Sequence, residues 1–145
     1  DSLEMARRTF ANRAYKQTGG WQQNAIKAAY LGLMEEAAKL TSINFNTWNK
    51  AYRFPTNWGP NYDWTPDQDH GSVALIALQR MLVQYDNEKI YLLSAWPKDW
   101  DVEFKLLAPQ NTIIKGEIKG GKIEYLKVSP TEREKDVVLF EPYVK

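Results

Sequence analysis

Three carboxylates and the only histidine of the chain crowd into Asn61-Tyr62-Asp63-Trp64-Thr65-Pro66-Asp67-Gln68-Asp69-His70-Gly71-Ser72, directly ahead of the apolar run Val73-Ala74-Leu75-Ile76-Ala77-Leu78. A carboxyl group can protonate a leaving oxygen or activate water, the two tasks of glycoside hydrolysis. Histidine can act as a base near neutral pH. The same residues also have a plainer use, because Asp before an apolar helix commonly caps it, and a lone His at a helix start often serves as a hydrogen-bonding spacer. Val73, Ala74, Ala77, Leu78, Met81 and Leu82 share one side of a helix expected over about 71–84. The first turn of such a helix presents unpaired N–H groups and can hold a polar ligand.

The segment just upstream supplies a second kind of recognition chemistry. Between Thr41 and Pro66 no helical or strand period is visible, and Trp48, Tyr52, Phe54, Trp58, Tyr62 and Trp64 alternate with Asn44, Asn46, Asn49, Asn57, Asn61 and Asp63. Disordered segments are poor in aromatic residues, and long irregular loops in compact domains tend to be functional. Flat rings beside amides and carboxylates suit a sugar, the ring covering its C–H face and the amides taking its hydroxyls. Trp58, Tyr62, Asp63, Trp64 and His70 are the candidate sugar-binding residues, and an oligosaccharide or glycan is the expected partner. The alternative is that the rings only pin a long loop to neighbouring helices.

Other chemistries are excluded by what is missing. With 145 residues and 43% apolar content the chain can build one core, or two packed subdomains. Nineteen Lys and Arg against eighteen Asp and Glu leave a charge of +1 with no basic track, so nucleic acid is not an expected partner. No Cys and one His rule out disulfides and the usual zinc spacings. A calcium site from Asp63, Asp67, Asp69 and loop carbonyls stays open as an alternative without the ligand spacing of a recognised calcium loop, and no other metal and no cofactor are expected. No Gly-x-Ser-x-Gly elbow occurs, and Gly19-Gly20 is followed by Trp21, whose bulk blocks the close backbone approach that phosphate needs. No apolar run reaches the roughly 20 residues of a membrane helix, and no signal peptide is visible.

The positioning elements follow from periodicity. Leu3, Ala6, Phe10 and Ala14 trace a first helix to about Lys16, stopped by Gly19-Gly20. Asp1-Ser2-Leu3-Glu4 reads as the cap of a helix already inside a fold, as in a piece of a longer polypeptide. A second, longer helix opens at Trp21, with Ala25, Ala29, Leu33, Ala37 and Leu40 as one stripe widened by Ile26, Tyr30 and Met34. Ala28, Ala29 and Gly32 would let another helix approach closely, in a toroid or in an ordinary bundle. Adjacent Glu35 and Glu36 point apart and are expected in solvent.

Beyond Tyr85-Asp86-Asn87 the period changes to that of strands, over 90–95, 102–108, 111–119, 122–128 and 136–143, read as antiparallel. Lys119-Gly120-Gly121-Lys122 is a tight hairpin turn. Ile114, Gly116 and Ile118 alternate with Lys115, Glu117 and Lys119, which implies a sheet wet on one face. Trp96 and Trp100 are expected to pack the sheet against the helices. The division is a helical region over 1–88 and a C-terminal β-domain over 89–145.

Met81-Leu82-Val83-Gln84, then Ile90-Tyr91-Leu92-Leu93-Ser94-Ala95-Trp96-Pro97 and Trp100, then a hairpin closing with Gly121-Lys122-Ile123, resembles the C-terminal end of glycoside hydrolase family 95, the α-L-fucosidases and related exo-acting enzymes. The resemblance runs from about Trp21 to Val128. It implies an α+β arrangement in which the terminal helices of an (α/α)6 toroid lead into a small, sandwich-like antiparallel β-sheet domain. It also implies an upstream helical barrel domain of the same polypeptide as partner, and a periplasmic or extracellular location. In the family an Asp-Gly-Asn-Phe-Gly motif precedes the last helix, its aspartate assisting the group that polarises water in an inverting site. Counting back from Met81 puts that aspartate at Asp69, and matching the motif's last glycine to Gly71 puts it at Asp67. Asp69 is preferred, because an insertion inside the helix would rotate its buried face. The motif's Asn and Phe have no counterpart here, nor do the family's general-acid glutamate and water-positioning asparagines. The isolated chain would then hold an incomplete site, and the alternative is a non-catalytic carbohydrate-binding or scaffold module.

Overall fold

A computed structural model describes residues 1–18, 22–46, 68–86 and 88–143, with backbone alone at 68–70. Helix α1 (Ser2–Ala11) starts on Asp1, whose carboxylate accepts from the Leu3 N–H at 2.9 Å. It ends five residues earlier than its apolar spacing suggests. Only Phe10 is buried, so the stripe is too thin to draw the helix on to Ala14. Instead the Asn12 amide turns back onto the Arg8 carbonyl.

The long second helix is two helices, α2 (Asn24–Tyr30) and α3 (Met34–Asn46). The break falls at Gly32, whose φ of 64° lies in the left-handed region that favours glycine. Arg7 of α1 fixes the break, its Nε donating to the Leu31 carbonyl at 2.9 Å. Tyr30, expected to widen the buried face, is exposed. Helix α3 runs on through Asn46, because Ala37, Leu40, Thr41 and Asn44 form one buried stripe at helical spacing. Asn44 and Asn46 are therefore helical and not part of a loop. Glu36, expected in solvent, pairs with Arg13 at 3.3 Å.

Helix α4 (Gln68–Leu82) packs against α2 and α3. The chain then passes straight into β1 (Val83–Tyr85), which pairs antiparallel with β2 (Ile90–Leu92). Position 88 thus lies in the turn of this small hairpin. The turn is set by Asp86, whose carboxylate accepts from the N–H groups of Glu88 and Lys89 and from the Tyr91 hydroxyl, each at 2.7 Å. Those bonds, the Lys89 one foremost, lower the Asp86 pKa to about 2.

Strands β3 (Val102–Ala108), β4 (Thr112–Lys119) and β5 (Lys122–Ser129) form a second, antiparallel sheet. Gly120 and Gly121 both have positive φ, as the two-residue turn between β4 and β5 requires. Thr112, Ile114, Gly116 and Ile118 are buried while Lys115 and Lys119 are exposed, so one face is wet. A 3-10 helical segment (Thr131–Asp136) leads to β6 (Val137–Leu139). That last strand lies parallel to β2, against the antiparallel expectation. It is also shorter than expected, since a turn takes over at Phe140, where the Tyr143 N–H donates to the Phe140 carbonyl at 2.8 Å.

The fold is α+β, and one hydrophobic cluster draws on both halves of the chain. Ala29, Leu40, Met81, Leu92, Trp96, Phe104 and Ile114 all belong to it. Among the described residues, no helix is long and apolar enough to cross a membrane.

Candidate functional site

The site residues proposed from sequence meet the structure at one end of α4. That helix begins at Gln68, earlier than the expected Gly71, so Asp69 and His70 belong to its first turn and not to the loop ahead of it. Backbone N–H groups of a first turn have no intrahelical acceptor, and the helix dipole favours the ionised form of a carboxylate placed there. The side chains of Asp69 and His70 lie outside the described residues. So do Trp58, Tyr62, Asp63, Trp64 and Asp67, and with them the candidate calcium ligands. Among the described residues no group of three or more acidic or histidine side chains is arranged to hold a metal ion.

Where α3 ends, toward the segment that carries those rings, a polar cluster is built into the helical layer. Asn24 is 4% exposed, and its amide donates to the Gln17 carbonyl at 2.7 Å, tying the chain after α1 to α2. Asn44 is 2% exposed, and its Oδ1 accepts from the Thr18 hydroxyl at 2.7 Å, while its Nδ2 finds no acceptor among the described residues. Burying an amide donor without an acceptor is costly. Sequence reading placed Asn44 among the loop amides. Its spacing from Ala37, Leu40 and Thr41 was the available sign that it lies on the buried face of a helix.

Residues 81–84 and 90–97 with Trp100, part of what carries the family resemblance, fold into a joint below α4, whereas Gly121-Lys122-Ile123 lies at the β4–β5 turn. Val83 pairs with Leu92 across the hairpin, the Leu93 N–H donates to the Leu82 carbonyl at 2.7 Å, and the Ala95 N–H to that of Met81 at 3.4 Å. The Gln84 amide donates to the Ala29 carbonyl and the Ser94 hydroxyl, both at 2.7 Å, and lies 3.0 Å from the Arg80 carbonyl. Leu93 accepts a φ of 61°, a strained choice for a non-glycine residue, to turn the chain at this point. Trp96 is 3% exposed and meets Trp100 edge to face at 5.5 Å, its indole N–H donating to the Trp100 carbonyl at 2.9 Å. The Tyr143 hydroxyl donates to the Pro97 carbonyl at 3.3 Å, and burial pushes its pKa up. These contacts are structural, and they seat the two tryptophans in the interface role expected of them.

Several open clefts mark the surface of the described residues. One, of about 710 Å³, lies between α1 and the start of α3, where Arg13 and Glu36 neutralise each other. Another, of about 330 Å³, lies between the end of α4 and β3, lined by Arg80, Tyr85, Lys105 and Leu107. Compared with protein-family models, with curated proteins and with solved structures, the chain matches none.

Proposed function

We propose that this chain is the C-terminal part of an exo-acting, inverting glycoside hydrolase with fucosidase-like character, contributing part of the sugar site. The observation that supports this reading is the course of α4. Its first turn carries Asp69 and His70, and its last residues run directly into a joint made of the motif that suggested the family. An aspartate at the positive end of a helix is favoured as carboxylate. That form assists in polarising water, and it is unsuited to protonating a leaving group. The acid would come from upstream helices of the same polypeptide, in a toroid that α1 to α4 complete. Asp67 is the reserve carboxylate, with Trp58, Tyr62, Asp63, Trp64 and His70 binding the sugar.

A non-catalytic carbohydrate-binding or scaffold module is the second reading. It is favoured by the wet face of the β3–β4–β5 sheet, which offers exposed Tyr125 on a broad surface.

Release of aryl alcohol from aryl α-L-fucosides and related glycosides by the polypeptide of the whole parent reading frame tests both. Asp69→Asn should lower turnover by about 10²–10⁴-fold, the usual contribution of a group that moves a proton, and leave sugar binding intact. Undiminished turnover in Asp69→Asn would remove that residue from the site. Sugar binding with no turnover by the whole polypeptide would establish the binding module instead.

A further inference from the structure

The wet face of the β3–β4–β5 sheet is ruled in rows that run across the strands. The register sets Lys105 opposite Lys115 and Lys115 opposite Lys127, one ammonium group per strand, and all three are exposed. Strands lie about 4.8 Å apart, so the row spans roughly 10 Å. None of the three lysines makes an ion pair among the described residues. Like charges directly opposite on neighbouring strands destabilise a sheet. Three ammonium groups directly opposite one another are an arrangement that folding alone does not favour.

The line continues past the sheet edge. Lys105 lines the 330 Å³ cleft together with Arg80 and Tyr85. The Arg80 guanidinium sits 4.7 Å from the centre of the Tyr85 ring and donates to its hydroxyl at 3.2 Å. It has no carboxylate partner among the described residues. Four cations, with a half-open tyrosine face at one end, therefore make a continuous track.

What flanks the track limits what can lie on it. The next row holds Glu103, Glu117 and Tyr125, and the Tyr125 hydroxyl reaches over β4 to donate to Glu103 at 3.2 Å. On the other side stand Leu107, Ile113 and Ser129, with Leu107 71% exposed. Rows two residues apart are separated by roughly 7 Å, within the Debye length of about 8 Å. A bilayer, a duplex or a multiply sulfated sugar spreads charge in two dimensions and would set anions over the two glutamates. A chain with its charges in single file would not.

We propose that this track binds a linear polysaccharide bearing one carboxylate per sugar, a uronan, laid across the strands from Lys127 to the Arg80 cleft. Its carboxylates meet the lysines, and Tyr85 covers the C–H face of one sugar ring. The choice of a glycan over an acidic peptide rests on the glycoside reading above, whereas the track itself does not.

The test is retardation of the protein in native gels containing polygalacturonate, backed by calorimetric titration with oligogalacturonate. Dextran, polyglutamate, single-stranded oligothymidylate and phosphatidylserine vesicles are run in parallel. Polygalacturonate should bind in a salt-sensitive way, and the Lys105→Gln/Lys115→Gln/Lys127→Gln variant should bind about tenfold more weakly, the loss expected of three exposed ion pairs. Lys115→Gln alone should lose a smaller part, which keeps the test decisive if the triple variant is unstable. Unchanged binding in these variants overturns the proposal, and so does equal binding to polyglutamate, oligothymidylate or vesicles. The lysine variants should keep full turnover of small aryl glycosides and Asp69→Asn should keep full retardation, so either reading can fail without the other.

Discussion

The joint below α4 and the wet face of the β3–β4–β5 sheet treat polar groups in opposite ways. At the joint, Gln84 meets two acceptors at 2.7 Å and Trp96 places its N–H on a carbonyl. On the sheet face, three lysines stand in register with no counter-ion among the described residues. A satisfied, buried network holds the two halves of the chain together. An exposed row of like charges contributes nothing to holding them, so its arrangement is better explained by what it meets.

The sharpest way to break that contrast is Trp96→Ala. Removing a buried indole of this kind should cost about 3–5 kcal/mol in denaturant unfolding. A cost under about 1 kcal/mol would mean that the joint is not where the halves are held. Gln84→Leu comes next, at about 1–3 kcal/mol, because it removes two hydrogen bonds at the joint, to the Ala29 carbonyl and the Ser94 hydroxyl, each worth about 0.5–1.5 kcal/mol. In the same assay Lys115→Gln should be neutral or slightly stabilising, since it removes a like-charge opposition. The smallest effect concerns the β1–β2 turn. The folded pKa of Asp86 is about 2, below its ordinary value of 3.8, so its contribution is present above pH 4 and is lost as pH falls toward 2. Asp86→Asn should lower stability by the same small amount at every pH above about 4 and flatten the acid part of the curve, the two proteins converging as pH falls toward 2.

Much of the sheet was readable because its signals are local. Alternation through Ile114, Gly116 and Ile118 marked the wet and dry faces, and Gly120-Gly121 marked the turn. The helical half was harder. Ala25, Ala29, Leu33, Ala37 and Leu40 keep a helical rhythm straight through Gly32, and the break there depends on Arg7 reaching over from another helix. The parallel pairing of β6 with β2 joins distant parts of the chain and leaves no trace in either segment. At the candidate site, α4 begins at Gln68, which puts Asp69 and His70 in a helical turn and not in a loop, a difference of the size expected when boundaries are read from pattern alone. The lysine row was visible as three separate residues but not as a row, since rows exist only once register is set.

The β3–β4–β5 meander is inserted between β2 and β6, two strands that lie side by side in the other sheet. The chain therefore leaves and re-enters that sheet at neighbouring strands, joined by a pairing in which the meander itself takes no part. Seen as a cassette, it can exchange its solvent-facing residues without disturbing the two strands that flank it, as long as its inner face still fills the common core. A scaffold wired this way can acquire a new surface specificity through the outward residues of three strands, leaving the helical half unaware of the change.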